Sequence, residues 1–262
     1  MQKQKNDLLP KISIVIPSFN KANYIGITLE SIFSQNYKNL EIIIQDGGST
    51  DGTVDIIKAY SKKYPIFWES KKDNGQLDAI CKGLQKASGD ILTFINADDT
   101  YETGSFNEMS KAYLYNSDKL WFAGQGVVVN KEGVEITKFV TVYKNFLLLL
   151  NSKLCLLMTN YLMQPSVFFT KQAYKRYGPF TGTDNFITEY DLWLKFGRVS
   201  MPVIINKTVS RFRIEPSTKT KLMFRDLLKE DKKIVGRYTK NPLILFLHDL
   251  NNFGRVFISL FV

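Results

Sequence analysis

Two adjacent carboxylates, Asp98 and Asp99, follow the apolar run Ile-Leu-Thr-Phe-Ile at residues 91–95. Divalent Mg2+ or Mn2+ takes oxygen ligands and needs only one or two carboxylates when phosphate oxygens complete its shell, so such a pair can hold a metal-bound phosphate. In isolation it is a turn former or a helix cap, and its meaning depends on what else reaches the same place. Pro17-Ser18-Phe19-Asn20 ends the run at 12–16, Asp46-Gly47-Gly48-Ser49 follows the run at 40–44, and Asn96-Ala97 leads into the acidic pair. Strands of a parallel sheet place their carboxyl ends along one edge, so an aromatic, small backbone-exposing loops and three carboxylates converge on one crevice, a nucleotide site in outline. A second acidic group, Glu189 and Asp191, stands just before Trp193. It offers a base for taking a proton from a hydroxyl, or else simply decorates a helix start.

The elements that must position these residues follow from hydrophobic periodicity. Residues 12–16 and 40–44 read as buried strands, with Ile25, Leu29, Ile32 and Phe33 at helical spacing between them. The Gly-rich stretch 47–52 is a loop before a helix carrying Val54, Ile57 and Tyr60; a short strand at 66–69 and a turn at 73–75 lead to a helix with Leu77, Ile80, Cys81 and Leu84. Gly89 is expected to stop that helix in a left-handed conformation. Four strands interleaved with three helices over residues 12–99 predict a doubly wound, largely parallel α/β sheet. Beyond it, residues 121–130 and 134–142 are expected to form two strands about a turn, 146–158 a Leu-rich helix and 166–170 a strand.

With 262 residues, 44% of them hydrophobic, the chain can bury a full core in one large domain. A net charge of +10 favours anionic partners. Residues 1–11 are polar and Lys-rich with no apolar core behind them, so no secretory signal is expected and the protein is expected to stay in the cytoplasm. Cys81 and Cys155 sit among apolar neighbours, as reduced, buried thiols do. His248 is the single histidine, which excludes a Ser/His/Asp triad at the site, and is expected on a helix surface or at an interface.

Several segments taken in order carry a family resemblance: Val15-Ile16-Pro17-Ser18-Phe19-Asn20, Leu29 through Tyr37, Glu41 through Thr53, Asp73-Asn74-Gly75-Gln76, Asn96-Ala97-Asp98-Asp99, Gln164-Pro165-Ser166-Val167-Phe168-Phe169 and Tyr190-Asp191-Leu192-Trp193-Leu194. Together they strongly resemble the family 2 glycosyltransferases of GT-A fold, over residues 12–218. The resemblance implies an inverting transfer of a sugar from a nucleoside diphosphate sugar to a saccharide or lipid-linked hydroxyl acceptor, with Mn2+ or Mg2+, in cell-surface polysaccharide or glycolipid synthesis.

Residue by residue it implies that Pro17, Ser18, Phe19 and Asn20 meet the nucleobase and ribose, Phe19 by stacking, and that Asp46, Gly47, Asp73, Gln76 and Asn96 line the donor pocket. Where many members carry two adjacent Asp residues this chain has Asp46-Gly47, and Asn96 replaces the first Asp of the family's Asp-x-Asp signature. Asp98 is then expected toward ribose or metal and Asp99 toward the metal, with Glu189 as base and Asp191 as its alternative. Arg211-Phe212-Arg213 resembles a segment whose basic residues face the diphosphate, although a solvated basic loop explains it equally. The departures at Asn96, Gly47 and Thr188 also admit a catalytically weakened, nucleotide-sugar-binding relative.

Residues 1–218 are therefore expected to form the transferase domain, with a nucleotide half at 12–99 and an acceptor half at 100–218. Residues 219–262 read as a basic, amphipathic helical extension. It can lie at the inner face of the cell membrane, making the protein peripheral, or pack on the domain or in a homodimer. Nucleic acid is not expected as a partner, because aromatics are not interleaved with the Lys and Arg residues.

Overall fold

The computed structural model describes residues 9–180, 182–183, 186–187, 189–214 and 224–259. Thr188 and the segment at 215–217 lie outside the described residues. The chain runs β1 (Ile12–Ser18), α1 (Ile25–Phe33), β2 (Leu40–Asp46), α2 (Thr53–Ser61), β3 (Ile66–Ser70), α3 (Gln76–Lys86) and β4 (Ile91–Phe94), the alternation expected from periodicity. It continues through β5 (Thr100–Tyr101), α4 (Ser105–Tyr115), β6 (Trp121–Val129), α5 (Lys138–Leu150), α6 (Lys153–Met158), a 3-10 turn, β7 (Val167–Thr170) and α7 (Lys171–Tyr177). After the small β8 (Gly182–Thr183) and β9 (Phe186–Ile187) hairpin come α8 (Glu189–Val199), β10 (Val203–Arg213), α9 (Phe224–Tyr238) and α10 (Pro242–Ser259).

One eight-stranded sheet has the order β3-β2-β1-β4-β7-β6-β10-β5. Strands β3, β2, β1 and β4 are mutually parallel, while β7 pairs antiparallel with both β4 and β6. The chain moves outward from β1 to β2 and β3, then returns to lay β4 on the other side of β1. The carboxyl ends of β1 and β4 therefore flank a topological switch point, where open α/β sheets bind ligands.

Both faces of this sheet are covered, which is why its strands read as continuous apolar runs. Ile12, Ile14 and Ile16 pack with Ile25, Leu29, Ile32 and Ile57 of α1 and α2, whereas Val15 and Ile43 face Ile80 and Leu84 of α3. Helix α3 approaches β1 so closely that a Cβ on Gly83 would lie 2.4 Å from Val15 Cγ1. Gly89 serves close approach as well: a Cβ there would meet Ser13 Oγ at 2.5 Å and the Lys11 carbonyl at 2.6 Å. Its φ is not positive, so the expected left-handed helix stop is corrected; α3 ends earlier, at the extended Ala87.

A second correction concerns residues 134–142. Only a single bridge, Val129 to Glu135, continues the pairing, and Lys138 already opens α5. Thr141, Leu147 and Leu148 are buried while Phe139, Val142 and Phe146 are exposed, a helical period that the β-branched residues disguise. The segment at 211–213, open between a diphosphate clamp and a solvated basic loop, is the end of β10, a strand hidden by two register shifts between Ile205 and Ser210. Helices α9 and α10 are packed on the domain, with Ile234 and Val235 buried in the same core as Trp193 and Ile244 and Leu245 packed against it. His248 is wholly buried on the inward side of α10, its Nε2 3.0 Å from Asn252 Nδ2, rather than on a surface. Cys81 and Cys155 are free, half-buried thiols. Among the described residues no helix is long and apolar enough to cross a membrane.

Candidate active site

The loops after β1 and β2 are laced together. Gly47 N–H donates to the Ser18 carbonyl at 2.8 Å, Asn20 N–H to Ser49 Oγ at 2.8 Å, and Thr50 N–H to Asn20 Oδ1 at 3.0 Å. Asn20 holds a left-handed φ of 50°, which Asn tolerates better than most residues. Asp46 is buried and turned into its own loop: Oδ2 accepts from Gly48 N, Ser49 N and Ser70 Oγ, and Oδ1 from Ser49 Oγ. Those bonds build the loop that carries Gly47.

On this base stands Phe19, 61% exposed in an otherwise polar loop. A Cβ on Gly47 would lie 3.3 Å from Phe19 Cδ2 and 3.2 Å from both carboxylate oxygens of Asp73. Asp73 is fixed by Gly75 N–H on Oδ1 at 2.9 Å, and its carboxylate occupies the space a longer side chain at 47 would need. An aromatic face, an open backbone and a carboxylate thus adjoin, a set suited to a base and its ribose.

Across the switch point, Lys21 Nζ lies 2.6 Å from Asp98 Oδ2. Lys21 comes from the β1 loop and Asp98 from the β4 loop, so the pair spans the crevice where β1 and β4 end. Asp99 points elsewhere. Its Oδ1 accepts from Arg213 N–H at 2.7 Å and its Oδ2 from Asn96 Nδ2 at 3.2 Å, and it is fully buried. Burial and the neighbouring Asp98 charge push its carboxyl well above the usual range. Asn96 in turn accepts from Gln76 Nε2 at 2.5 Å, so its amide bridges Gln76 and Asp99, a task an Asp could not perform because it lacks the donor. Arg213 donates through Nε to the Asp98 carbonyl and through a terminal nitrogen to the carbonyls of Asn130 and Lys131. It clamps the acidic loop from behind, and Arg211 pairs with Glu102.

Glu189 is the first residue of α8. The helix is anchored by Trp193 stacked on Trp121 of β6, centroids 5.9 Å apart and planes 11° from parallel. Burial pushes the Glu189 carboxyl up to about 7, its own backbone N–H and Lys144 of α5 opposing and Asp231 of α9 adding to the rise. Burial also lowers Lys144 to about 8. Asp191 is differently placed: Lys195 Nζ is 2.9 Å from Oδ2, and Tyr238 OH donates to Oδ1 at 2.8 Å, tying α8 to α9. Gln164 and Ser166 are likewise occupied, Gln164 Nε2 by the Phe94 carbonyl and Ser166 Oγ by Gln125 and Ser210.

The family model described as glycosyl transferase family 2 matches residues 13–168, from the second residue of β1 to the second of β7. The chain belongs to glycosyl transferase family 2. An uncharacterized glycosyltransferase of Rickettsia typhi is 26% identical to it over 95% of this chain and 79% of its own. A mannosyltransferase of Pyrobaculum calidifontis, solved with GDP-Man and Mn2+, superposes with a TM-score of 0.70 at 18% identity, over 92% of this chain and 69% of that one. TarS of S. aureus, solved with UDP-GlcNAc, gives a TM-score of 0.64 at 16% identity, over 86% and 66%. These likenesses establish the expected GT-A type architecture, an α/β sheet flanked by helices, and a glycosyltransferase of the family 2 type.

Within that family fold, Phe19, Gly47, Asp73 and Asp98 lie along the crevice edge, while Asp46, Asn96 and Asp99 brace the loops behind it. Lys21 and the clamping role of Arg213 went unread in the sequence. A basic residue directly after Asn20 was the available signal for Lys21; nothing local marks Arg213, whose partners lie 82 to 115 positions away.

Proposed function

We propose that the protein transfers a sugar from a nucleoside diphosphate sugar to a hydroxyl acceptor with inversion. The observation that carries this reading is the convergence of Phe19, Asp73, Lys21 and Asp98 where β1, β2 and β4 end. Phe19 stacks on the base, Asp73 takes the hydrogen-bonding place that Gly47 leaves, and Lys21 and Asp98 face the diphosphate. Neighbours of the same fold solved with UDP-GlcNAc and GDP-Man support the donor class.

Glu189 is the base. As the acceptor oxygen attacks the anomeric carbon and the bond from that carbon to the diphosphate breaks, the carboxylate takes the acceptor proton. A pKa near neutrality suits that task, because much of the group is ionised near neutral pH while its carboxylate is basic enough to accept. Lys21 supplies a positive charge where the diphosphate gathers negative charge.

A divalent metal fits the residues present. Such an ion needs only one or two protein carboxylates when a bound phosphate supplies further oxygens. Asp98 would hold it; Asp99, turned to Arg213 and Asn96, supports Asp98 from behind. When bound, Mn2+ or Mg2+ neutralises charge on the leaving diphosphate. Mn2+ in the P. calidifontis neighbour supports this reading. The acceptor is a saccharide or a lipid-linked saccharide of cell-surface polymer or glycolipid synthesis.

Thermal-shift titration with UDP- and GDP-sugars, with and without Mn2+, tests the donor site, since a ligand bound only to the folded state raises the midpoint by mass action. A Mn2+-dependent rise for at least one donor, lost in Asp98→Asn, is expected. No rise with any donor contradicts the reading.

A further inference from the structure

Three helices on the acceptor side leave apolar faces uncovered. On α5, Phe139, Val142, Phe146, Leu149 and Leu150 are each at least 50% exposed, and their spacing puts them on one side. On α10, Leu243, Phe246, Leu250 and Phe253 are 55% to 71% exposed and again share a side, while His248 and Asn252 on the opposite side are buried. Asn251 Nδ2 donates to Tyr143 OH at 2.6 Å, which sets α10 beside α5, and Leu154 of α6, 47% exposed, lies between them in the chain. Exposed apolar area of this extent on neighbouring helices marks an interaction surface.

Charge selects the occupant. Residues 138–158 contain Lys138, Lys144 and Lys153 and no Asp or Glu. Lys138 at the start of α5 and Lys153 at the start of α6 are exposed, and Arg237 and Lys240 are exposed just before α10. The one acidic residue of α10, Asp249, is paired with Lys232 at 2.8 Å. Two copies meeting here would bring these cations together in a chain of net charge +10, whereas an anionic surface would be matched by them.

We propose that the outer faces of α5, α6 and α10 form a docking surface for an anionic lipid bilayer. Aromatic and aliphatic side chains enter the headgroup boundary, and the flanking Lys and Arg residues meet lipid phosphates. The proposal is independent of the transferase reading, because docking needs neither donor nor turnover.

Co-sedimentation of the full chain with vesicles of phosphatidylglycerol and phosphatidylcholine, and with phosphatidylcholine alone, tests it. Binding to the anionic vesicles, weakened by salt, is expected, with a loss of about tenfold or more in the double variant Phe146→Glu, Phe246→Glu. Both positions are exposed, so the thermal midpoint should hold; Leu250→Glu is the second variant should the first not fold. No binding of the wild type to anionic vesicles overturns the proposal, as does unchanged binding of a folded variant. A dimer in sedimentation equilibrium that these substitutions disperse, with no vesicle binding, assigns the face to a second copy instead.

Discussion

The Lys21 ammonium and the Asp98 carboxylate, 2.6 Å apart, join the loop after β1 to the loop after β4 across the switch point of the sheet. On the proposed reading, the carboxylate that meets the donor is held in place by a cation that would face the diphosphate as well. Removing either partner should act on binding and chemistry more than on folding. Asp98→Asn is expected to lower transfer by about 10²- to 10³-fold with little change in Tm, the scale seen when one preorganised electrostatic group is lost. Lys21→Met should weaken donor binding about tenfold or more, read by calorimetric titration, since a charged partner of the diphosphate is worth roughly 1.5–3 kcal/mol.

Asp99 should behave in the opposite way. Asp99→Ala would leave Arg213 N–H and Asn96 Nδ2 without their acceptor, costing about 2–4 kcal/mol in denaturant unfolding. Asp99→Asn keeps an acceptor for Arg213 N–H but sets an amide donor against Asn96 Nδ2, so it should cost less than Asp99→Ala in the same unfolding experiment.

The pH profile follows from Glu189. With its carboxyl raised to about 7, the rate should climb as pH rises through 7 and level off above it, the base being protonated below. Stability runs the other way. A folded-state value above the ordinary 4.5 favours the fold below 4.5, and the contribution is lost as pH rises through about 7. Glu189→Gln should therefore gain Tm relative to the wild type at alkaline pH while losing about 10²- to 10⁴-fold in transfer.

Tyr238→Phe removes the hydroxyl that ties α9 to Asp191 and should cost about 1 kcal/mol in unfolding experiments. The pH profile of transfer should be unmoved, which separates Asp191 as an anchor of α8 from Glu189 as the base.

Residues 12–99 were legible because strands buried on both faces read as unbroken apolar runs and the helices between them keep a 3.6-residue period. Beyond Asp99 local signals weaken. Val140 and Val142 suggested a strand although burial at Thr141, Leu147 and Leu148 obeys the helical period, and β10 concealed itself behind its register shifts. The converging loops were readable, but the orientation of each carboxylate was not. Asp98 and Asp99 are adjacent and chemically alike; the Asn96 amide and the backbone of Arg213, 114 positions away, turn Asp99 inward. Likewise Tyr238, 47 residues after Asp191, ties that carboxylate to α9, which no local signal announces.

The most direct measurement is turnover of a panel of nucleoside diphosphate sugars with Mn2+, comparing the wild type with Glu189→Gln by release of the free nucleoside diphosphate. At least one donor should be consumed by the wild type, and Glu189→Gln should bind it with unchanged affinity while consuming it at least about 10²-fold more slowly. A wild type that binds a donor without consuming it, or a Glu189→Gln variant as fast as the wild type, would contradict the account.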